Sequence, residues 1–122
     1  MRFLLCLLLF ATLAAPAGAA DLRNGRELAS LCRECHAMKQ GGREKFGPNL
    51  HGVFGRAAGS VTGYPYSGAM AAADWVWNED SLNAFIADPQ GRLPGTQMPF
   101  TGLPEASDRA DLIAYLMRVT AD

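Results

Sequence analysis

Two cysteines and a histidine fall within five consecutive residues, Cys32-Arg33-Glu34-Cys35-His36. This C-x-x-C-H spacing is typical of covalent attachment of a c-type haem. On a helical turn, the two thiols can reach the two vinyl groups along one porphyrin edge, and the imidazole that follows can turn a nitrogen toward the iron. The pattern therefore predicts thioether bonds from Cys32 and Cys35 and an iron-ligating role for His36.

Two other uses of the same residues are disfavoured. A thioredoxin-like dithiol is expected beside a βαβ pattern, and no strand-like alternation precedes Cys32. A structural zinc ion needs four nitrogen or sulfur ligands, and after the N-terminal segment the chain offers only Cys32, Cys35, His36 and His51. Because Cys35 and His36 are neighbours, they would have to bind the same ion. Haem attachment is the interpretation that fits the spacing.

A chain of 122 residues with 49% hydrophobic composition suits one small domain. Its first twenty residues have the composition of a secretory signal peptide: Arg2 supplies a positive charge, Phe3–Leu13 is apolar, and small residues follow. We expect cleavage before Ala20 or before Asp21. The apolar run is shorter than the ~20 residues that span a bilayer, so no stable membrane insertion is expected.

Loss of the first twenty residues would remove Arg2 and leave ten basic and twelve acidic side chains, a formal charge of −2. The basic residues are scattered rather than clustered, which argues against nucleic acid as a partner. The two cysteines that remain both belong to the haem motif, so no structural disulfide is expected. An exported chain with a C-x-x-C-H motif fits the periplasm.

Residues typical of helix ends lie on both sides of the haem motif. Asn24, followed three residues later by Glu27, predicts a helix start of the capping-box type and a helix of about two turns that delivers Cys32. Asn78 predicts the cap of a second helix, which Asp88-Pro89 should end because proline disfavours helical conformation in the residue before it.

A last helix is predicted to begin at Pro104 or Ser107. Its apolar face contains Leu112, Ile113 and Leu116, and we expect it to pack across the first helix.

Between the first and second helices the chain is loop-like, with eight glycines between residues 41 and 70. A loop of this length can be compact if its apolar side chains pack against a porphyrin instead of against one another. The candidates for that role are Leu50, Val53, Phe54, Tyr64, Tyr66 and Met70.

The proline-punctuated stretch from residue 91 to residue 100 carries one methionine. In a chain with a haem motif, Met98 is the leading candidate for the second axial ligand. A thioether opposite an imidazole favours ferrous iron and raises the reduction potential.

The sequence resembles the class I cytochromes c, the family of mitochondrial cytochrome c and its soluble bacterial relatives. Besides the haem motif, four stretches match in order and spacing: residues 47–56, 64–70, 94–100 and 109–116. The resemblance covers essentially the whole mature chain, residues 21–122, as a single domain. It implies an all-α, small cytochrome c fold, with three to five short helices and glycine-rich loops wrapped around one covalent haem c.

The resemblance also implies roles around the haem. The carbonyl of Pro48 would accept the Nδ1 hydrogen of His36, which fixes the ring orientation. Tyr66 and Trp77 would hydrogen-bond a buried haem propionate, and Arg56 would stabilise its charge.

On the other side of the haem, the resemblance implies that Thr96 helps to hold the second propionate and that Phe100 covers the exposed haem edge beside Met98. One departure is Phe85, which stands where the family commonly has a tyrosine near the methionine ligand. His51 is expected to be a surface or turn residue and not a ligand.

In function, the resemblance implies a soluble, monomeric one-electron carrier and not an enzyme, because iron bound by His36 and Met98 has no open position. Redox protein partners would dock transiently at the exposed haem edge. The alternatives are a dedicated haem c subunit of a dehydrogenase or oxidase complex, and a haem peroxidase or gas sensor with an open iron site. Candidate docking charges are Arg33, Lys39, Arg43, Lys45 and Arg92.

Overall fold

Five helices form the secondary structure of residues 18–121, the part of the chain that this computed structural model describes. They are α1 (Leu22–Arg33), α2 (Gly68–Ala71), α3 (Glu79–Ala87), α4 (Pro89–Arg92) and α5 (Ala106–Val119). Within the same residues the only strand-like pairing is an isolated antiparallel bridge between Ala57 and Val76. The prediction of an all-α fold with three to five short helices is confirmed. The predicted signal peptide lies almost wholly outside the described residues.

Helix α1 begins three residues earlier than the sequence predicted. The carboxylate of Asp21 caps it, accepting the backbone N–H groups of Arg23 at 2.9 Å and Asn24 at 3.2 Å. The predicted cap at Asn24 is therefore wrong. Its side-chain amide instead donates to the carboxylates of Asp108 and Asp111 in α5, each at 2.9 Å. At twelve residues, α1 is also longer than the predicted two turns.

Helices α1 and α5 cross closely, as predicted for the first and last helices. The crossing is at Gly25, where an added Cβ would overlap the backbone of Asp111 and lie 2.8 Å from the Cβ of Tyr115. One turn on, Ala29 is fully buried. At the end of α1, the guanidinium of Arg33 donates to the Tyr115 hydroxyl at 2.6 Å. The helix pair also buries Leu112, Ile113 and Leu116 of the predicted apolar face.

Helix α3 has the cap that the sequence predicted. Asn78 Oδ1 accepts the backbone N–H of Ser81, and Ser81 Oγ accepts the backbone N–H of Asn78, both at 2.8 Å. The helix ends at Ala87, before the Asp88-Pro89 pair. Asp88 then caps the short helix α4 by accepting the Gly91 backbone N–H at 3.0 Å.

The start of α5 differs from the sequence prediction, and α2 was not predicted. Helix α5 begins at Ala106, between the two predicted starts, and Glu105 at its N-terminus makes no side-chain capping bond. Helix α2 is a single turn capped by Ser67, too short to leave a periodic signal in the sequence. Within residues 18–121, no helix is long and apolar enough to cross a membrane.

Candidate functional site

A cavity of about 820 Å³ is lined mainly by loops. This volume lies in the upper part of the ~300–1,000 Å³ range of small-molecule sites. The lining comes from the end of α1 and the loop after it, from residues 64–70, from α3 and from the loop after α4. The lining residues include Cys32, Cys35, His36, Pro48, Leu50, Val53, Arg56, Tyr64, Tyr66, Met70, Trp77, Leu82, Phe85, Thr96 and Met98.

The two cysteines lie where α1 ends. The backbone N–H groups of Cys35 and His36 both donate to the carbonyl of Cys32, at 3.1 and 2.8 Å, so the motif forms a tight turn. Both thiols are free and half-buried at the cavity wall. Burial raises the pKa of the Cys32 thiol, although the charge of Arg33 acts in the opposite direction. A neutral thiol is a poor nucleophile, which is unlike the activated cysteine of a dithiol oxidoreductase.

The imidazole of His36 is held in one orientation by the loop that follows the motif. Its Nδ1 lies 2.7 Å from the carbonyl oxygen of Pro48, so Nδ1 carries the proton and donates, and Nε2 keeps its lone pair. The Pro48 contact is the one that the family resemblance implied. Burial lowers the pKa of His36, and the hydrogen bond to Pro48 opposes this effect. The ring is therefore neutral, as a metal-ligating imidazole must be.

Gly47 lets the loop approach the ring. A Cβ at this position would overlap the His36 imidazole, lying 2.8 Å from Nε2 and closer to two other ring atoms. The Gly47 N–H donates to the Cys35 carbonyl at 2.8 Å, which ties the loop to the motif. Only glycine can occupy position 47 without moving the ring.

Met98 lies on the cavity lining in an extended loop held by side-chain amides and hydroxyls. The Gln90 amide donates to the carbonyls of Thr96 at 3.0 Å and Met98 at 3.2 Å. The Thr96 hydroxyl, on a residue that is 93% buried, lies 3.4 Å from the Met98 nitrogen. Gly95, with a φ of +89°, makes the turn before them. The loop thus has a defined path without belonging to a helix.

Arg56, Tyr66 and Trp77 together form a polar corner of the same cavity. Arg56 Nη1 donates to the carbonyls of Asn49 at 3.0 Å and His51 at 3.2 Å, and no carboxylate in the described part of the chain pairs with the guanidinium. Burial lowers the pKa of Arg56, yet the group stays cationic. The Tyr66 oxygen accepts the Val61 N–H at 3.1 Å. This leaves its hydroxyl hydrogen free for an anion.

Trp77 adds an indole to this corner and joins it to the apolar wall. Its ring packs edge-on against Trp75 and Phe85, with centroid distances of 5.7 and 5.2 Å. No acceptor for its indole N–H is found among residues 18–121. A cation, a phenol and an indole N–H around a largely apolar cavity suit a large flat group that carries carboxylates.

Three residues for which the sequence gives expectations lie outside the lining of this cavity. Phe54 does not line this cavity: it lines a second one of about 210 Å³ with Gly52 and Met117, so its predicted packing against a porphyrin is wrong. The turn at residues 51–52 directs it toward the end of α5, where the Gly52 N–H donates to the Thr120 carbonyl at 2.7 Å. Phe100 is half-buried but not part of the lining, and its role at the haem edge stays a prediction. His51 also lies outside the lining.

Sequence reasoning missed other members of the site. Leu82 lines the cavity although no sequence pattern indicated it, whereas Phe85 lines it together with Met98, as the resemblance implied. Gln90 left no signal at all, because an exposed glutamine gives no indication that it bonds two carbonyls of a neighbouring loop. Phe46 lines the mouth of the cavity and was also missed.

The residues of the cavity fit a porphyrin. Two thiols, a neutral and oriented imidazole, thioethers and apolar side chains line the same cavity, with anion-binding groups in one corner of it. The fold and the site thus define the class: a small all-α protein with a c-type haem site.

Comparison with known proteins identifies the family. The sequence model of the cytochrome c family matches residues 22–120. A cytochrome c homolog from Bradyrhizobium diazoefficiens is 46% identical over 98 residues, which are 80% of this chain and 53% of that protein, so the chain spans about half of that relative. The cytochrome c of Guizotia abyssinica is 43% identical over 108 residues, 88% of this chain and 96% of that one. The cytochrome c2 of Blastochloris viridis is 37% identical over 116 residues, 95% and 91% of the two chains.

The chain belongs to the cytochrome c family. Membership implies covalent haem c and a role in electron transport.

Proposed function

We propose that the protein is a soluble one-electron carrier with one haem c, bound covalently through Cys32 and Cys35, whose iron is ligated by His36 and Met98. The observation that carries the proposal is the state of His36. Its Nδ1 lies 2.7 Å from the Pro48 carbonyl oxygen and burial lowers the pKa of the ring, at the wall of a cavity that both cysteines and Met98 also line.

Bound haem supplies an iron atom that alternates between the ferrous and ferric states. His36 and Met98 would both ligate the iron, which would leave no open position for a substrate. Pro48 keeps the imidazole in one orientation, and Gln90 and Thr96 keep the Met98 loop in place. Fixed ligands limit the change of geometry that accompanies each electron.

The cavity walls would favour the ferrous state. Trp77 and Phe85 are buried and Leu82 is half-buried, so these side chains exclude water from the cavity. An environment of low dielectric constant disfavours the additional positive charge of ferric iron, and a thioether ligand acts in the same direction.

The polar groups would hold the haem carboxylates. In the proposal, Arg56, Tyr66 and Trp77 bind the buried propionate, and Thr96 helps to hold the second one. Phe100 covers the haem edge beside Met98.

We further propose that residues 1–20 are a cleaved signal peptide, that residues 21–122 form one monomeric domain in the periplasm, and that redox proteins dock transiently at the haem edge. The N-terminal composition and the bacterial relatives support this location.

The ligation can be tested on periplasmically matured holoprotein by optical and magnetic circular dichroism spectroscopy. Met98→Ala should lose the weak charge-transfer band of thioether-ligated ferric iron and should bind carbon monoxide when reduced. Met70→Ala is the matched control, because Met70 is the other methionine of the lining, and it should keep the band. Ready binding of carbon monoxide by the reduced wild type would overturn the proposal, and so would loss of the band in Met70→Ala alone.

A further inference from the structure

Phe46 is the most exposed of the large hydrophobic side chains in the described part of the chain. It is 87% exposed, whereas Leu31 and Val76 are 47% exposed and Met117 is 41% exposed. Single apolar side chains of partial exposure are common on protein surfaces, but a phenylalanine this exposed contributes nothing to the core. Its burial by another molecule would be favourable.

The position of Phe46 is fixed by its neighbours. Its carbonyl accepts the hydroxyl hydrogen of Tyr64, a residue from the opposite side of the cavity mouth. The next residue, Gly47, is bonded to Cys35 and packs against the His36 ring. Phe46 also lines the cavity mouth itself. An outward-facing aromatic side chain is therefore carried by a hydrogen-bonded stretch of backbone at the mouth of the cavity.

The segment of chain that contains Phe46 has a net charge opposite in sign to that of the remaining protein. Between residues 33 and 46 there are four basic and two acidic side chains, a net charge of +2. The other residues of 21–122 have a net charge of −4, since the whole of that range carries −2. Lys45 Nζ donates to the Arg33 carbonyl at 3.0 Å, which keeps its charge close to the end of α1. The basic side chains are Arg33, Lys39, Arg43 and Lys45, and the acidic ones are Glu34 and Glu44.

We infer that Phe46 is the apolar anchor of a docking face whose occupant is a redox protein with an apolar recess bordered by carboxylates. The inference rests on the proposed electron-carrier function and specifies its partner. Protein interfaces concentrate their binding energy in a few aromatic or arginine anchors surrounded by polar residues. The basic segment that contains Phe46 orients the acidic partner as it approaches, and the phenyl ring holds it at the haem edge.

A gold electrode coated with a mixed thiol monolayer can serve as the probe. One monolayer combines carboxylate and methyl ends, which reproduces an acidic apolar surface, and a second combines carboxylate and hydroxyl ends. Film voltammetry of the holoprotein then gives the adsorption constant and the electron-transfer rate on each. The variants are Phe46→Thr, Phe46→Leu and, as a matched change at another exposed apolar residue, Val76→Thr.

We expect Phe46→Thr to weaken adsorption on the methyl-containing monolayer about tenfold and to leave the hydroxyl-containing one nearly unchanged. Phe46→Leu should restore most of the loss, and Val76→Thr should behave as the wild type. The docking inference alone is overturned if Phe46→Thr adsorbs on the methyl-containing monolayer as tightly as the wild type, or if Val76→Thr loses as much adsorption as Phe46→Thr. Both readings require that the wild type shows a reversible one-electron wave. Absence of that wave in the wild type overturns the electron-carrier proposal instead.

Discussion

The α1–α5 pair and the loops that line the cavity hold their residues in place by different means. In the helix pair, apolar side chains pack directly against one another: Ala29 is fully buried, and Leu112 is 1% exposed. In the loops, isolated hydrogen bonds such as those of Gln90 fix the chain, and the apolar side chains face a cavity of about 820 Å³. The helix pair has a core of its own, whereas the loops acquire theirs from the cofactor.

The largest effect should follow from removal of the cofactor. In a variant with both Cys32→Ala and Cys35→Ala, the proposed thioether bonds to haem cannot form, and the cavity-lining side chains would lose their packing partner. We expect amide protection in residues 41–70 and 93–100 to fall by about a hundredfold or more, and protection in α1 and α5 to fall much less. Hydrogen exchange followed by mass spectrometry measures this. Equal amide protection of the loops in the wild type and in the double variant would contradict the idea that the loops depend on the cofactor for their core.

The helix pair can be disturbed without touching the site. Gly25→Ala places a methyl group against the Asp111 backbone, and overpacking of this kind costs about 1–3 kcal/mol. Gly68→Ala is the control, because an added Cβ there meets nothing within 4 Å. Denaturant unfolding of the holoprotein should show the loss only for Gly25→Ala, with the haem spectrum unchanged in both variants. A spectral change in Gly25→Ala would show that the two regions are coupled.

The Met98 loop can be loosened without changing Met98. Gln90→Leu removes two hydrogen bonds to the loop, each worth about 0.5–1.5 kcal/mol and less at an exposed position. Met98 should then be displaced more readily, so we expect the ferric protein to bind added imidazole about fivefold more tightly. Gln40→Leu, at an exposed glutamine outside the loop, should leave imidazole binding unaltered. An unaffected Gln90→Leu variant would show that the loop is held by other contacts.

The smallest effect is expected at the cap of α3. Asn78→Ala removes the bond to the Ser81 backbone and should lower the free energy of unfolding by about 1 kcal/mol, with no change of the haem spectrum. Thermal unfolding measures it, and Asn78→Ser, which keeps a capping oxygen, should recover most of the loss. If the serine variant is as unstable as the alanine variant, the cap is not the cause.

The features that could be predicted from the sequence depend on residues that are neighbours in the chain. Those that could not be predicted depend on contacts between distant residues. The haem motif and the Asn78 cap were predictable because the residues that define them are neighbours in the chain. The start of α1 was not, since Asn24 is engaged by Asp108 and Asp111, more than eighty positions away. Phe54 was misassigned for a similar reason: its apolar side chain indicates burial but does not say which of two cavities it faces.

The size of the cavity has a consequence for the abundance of the protein in the cell. Before haem is attached, the apolar side chains of the lining would face an open cavity of about 820 Å³ instead of a porphyrin, and chains with such exposed apolar surface aggregate or are degraded. Attachment of the cofactor would therefore decide which newly made chains survive. The amount of this protein should follow the supply of haem more closely than the rate of its synthesis.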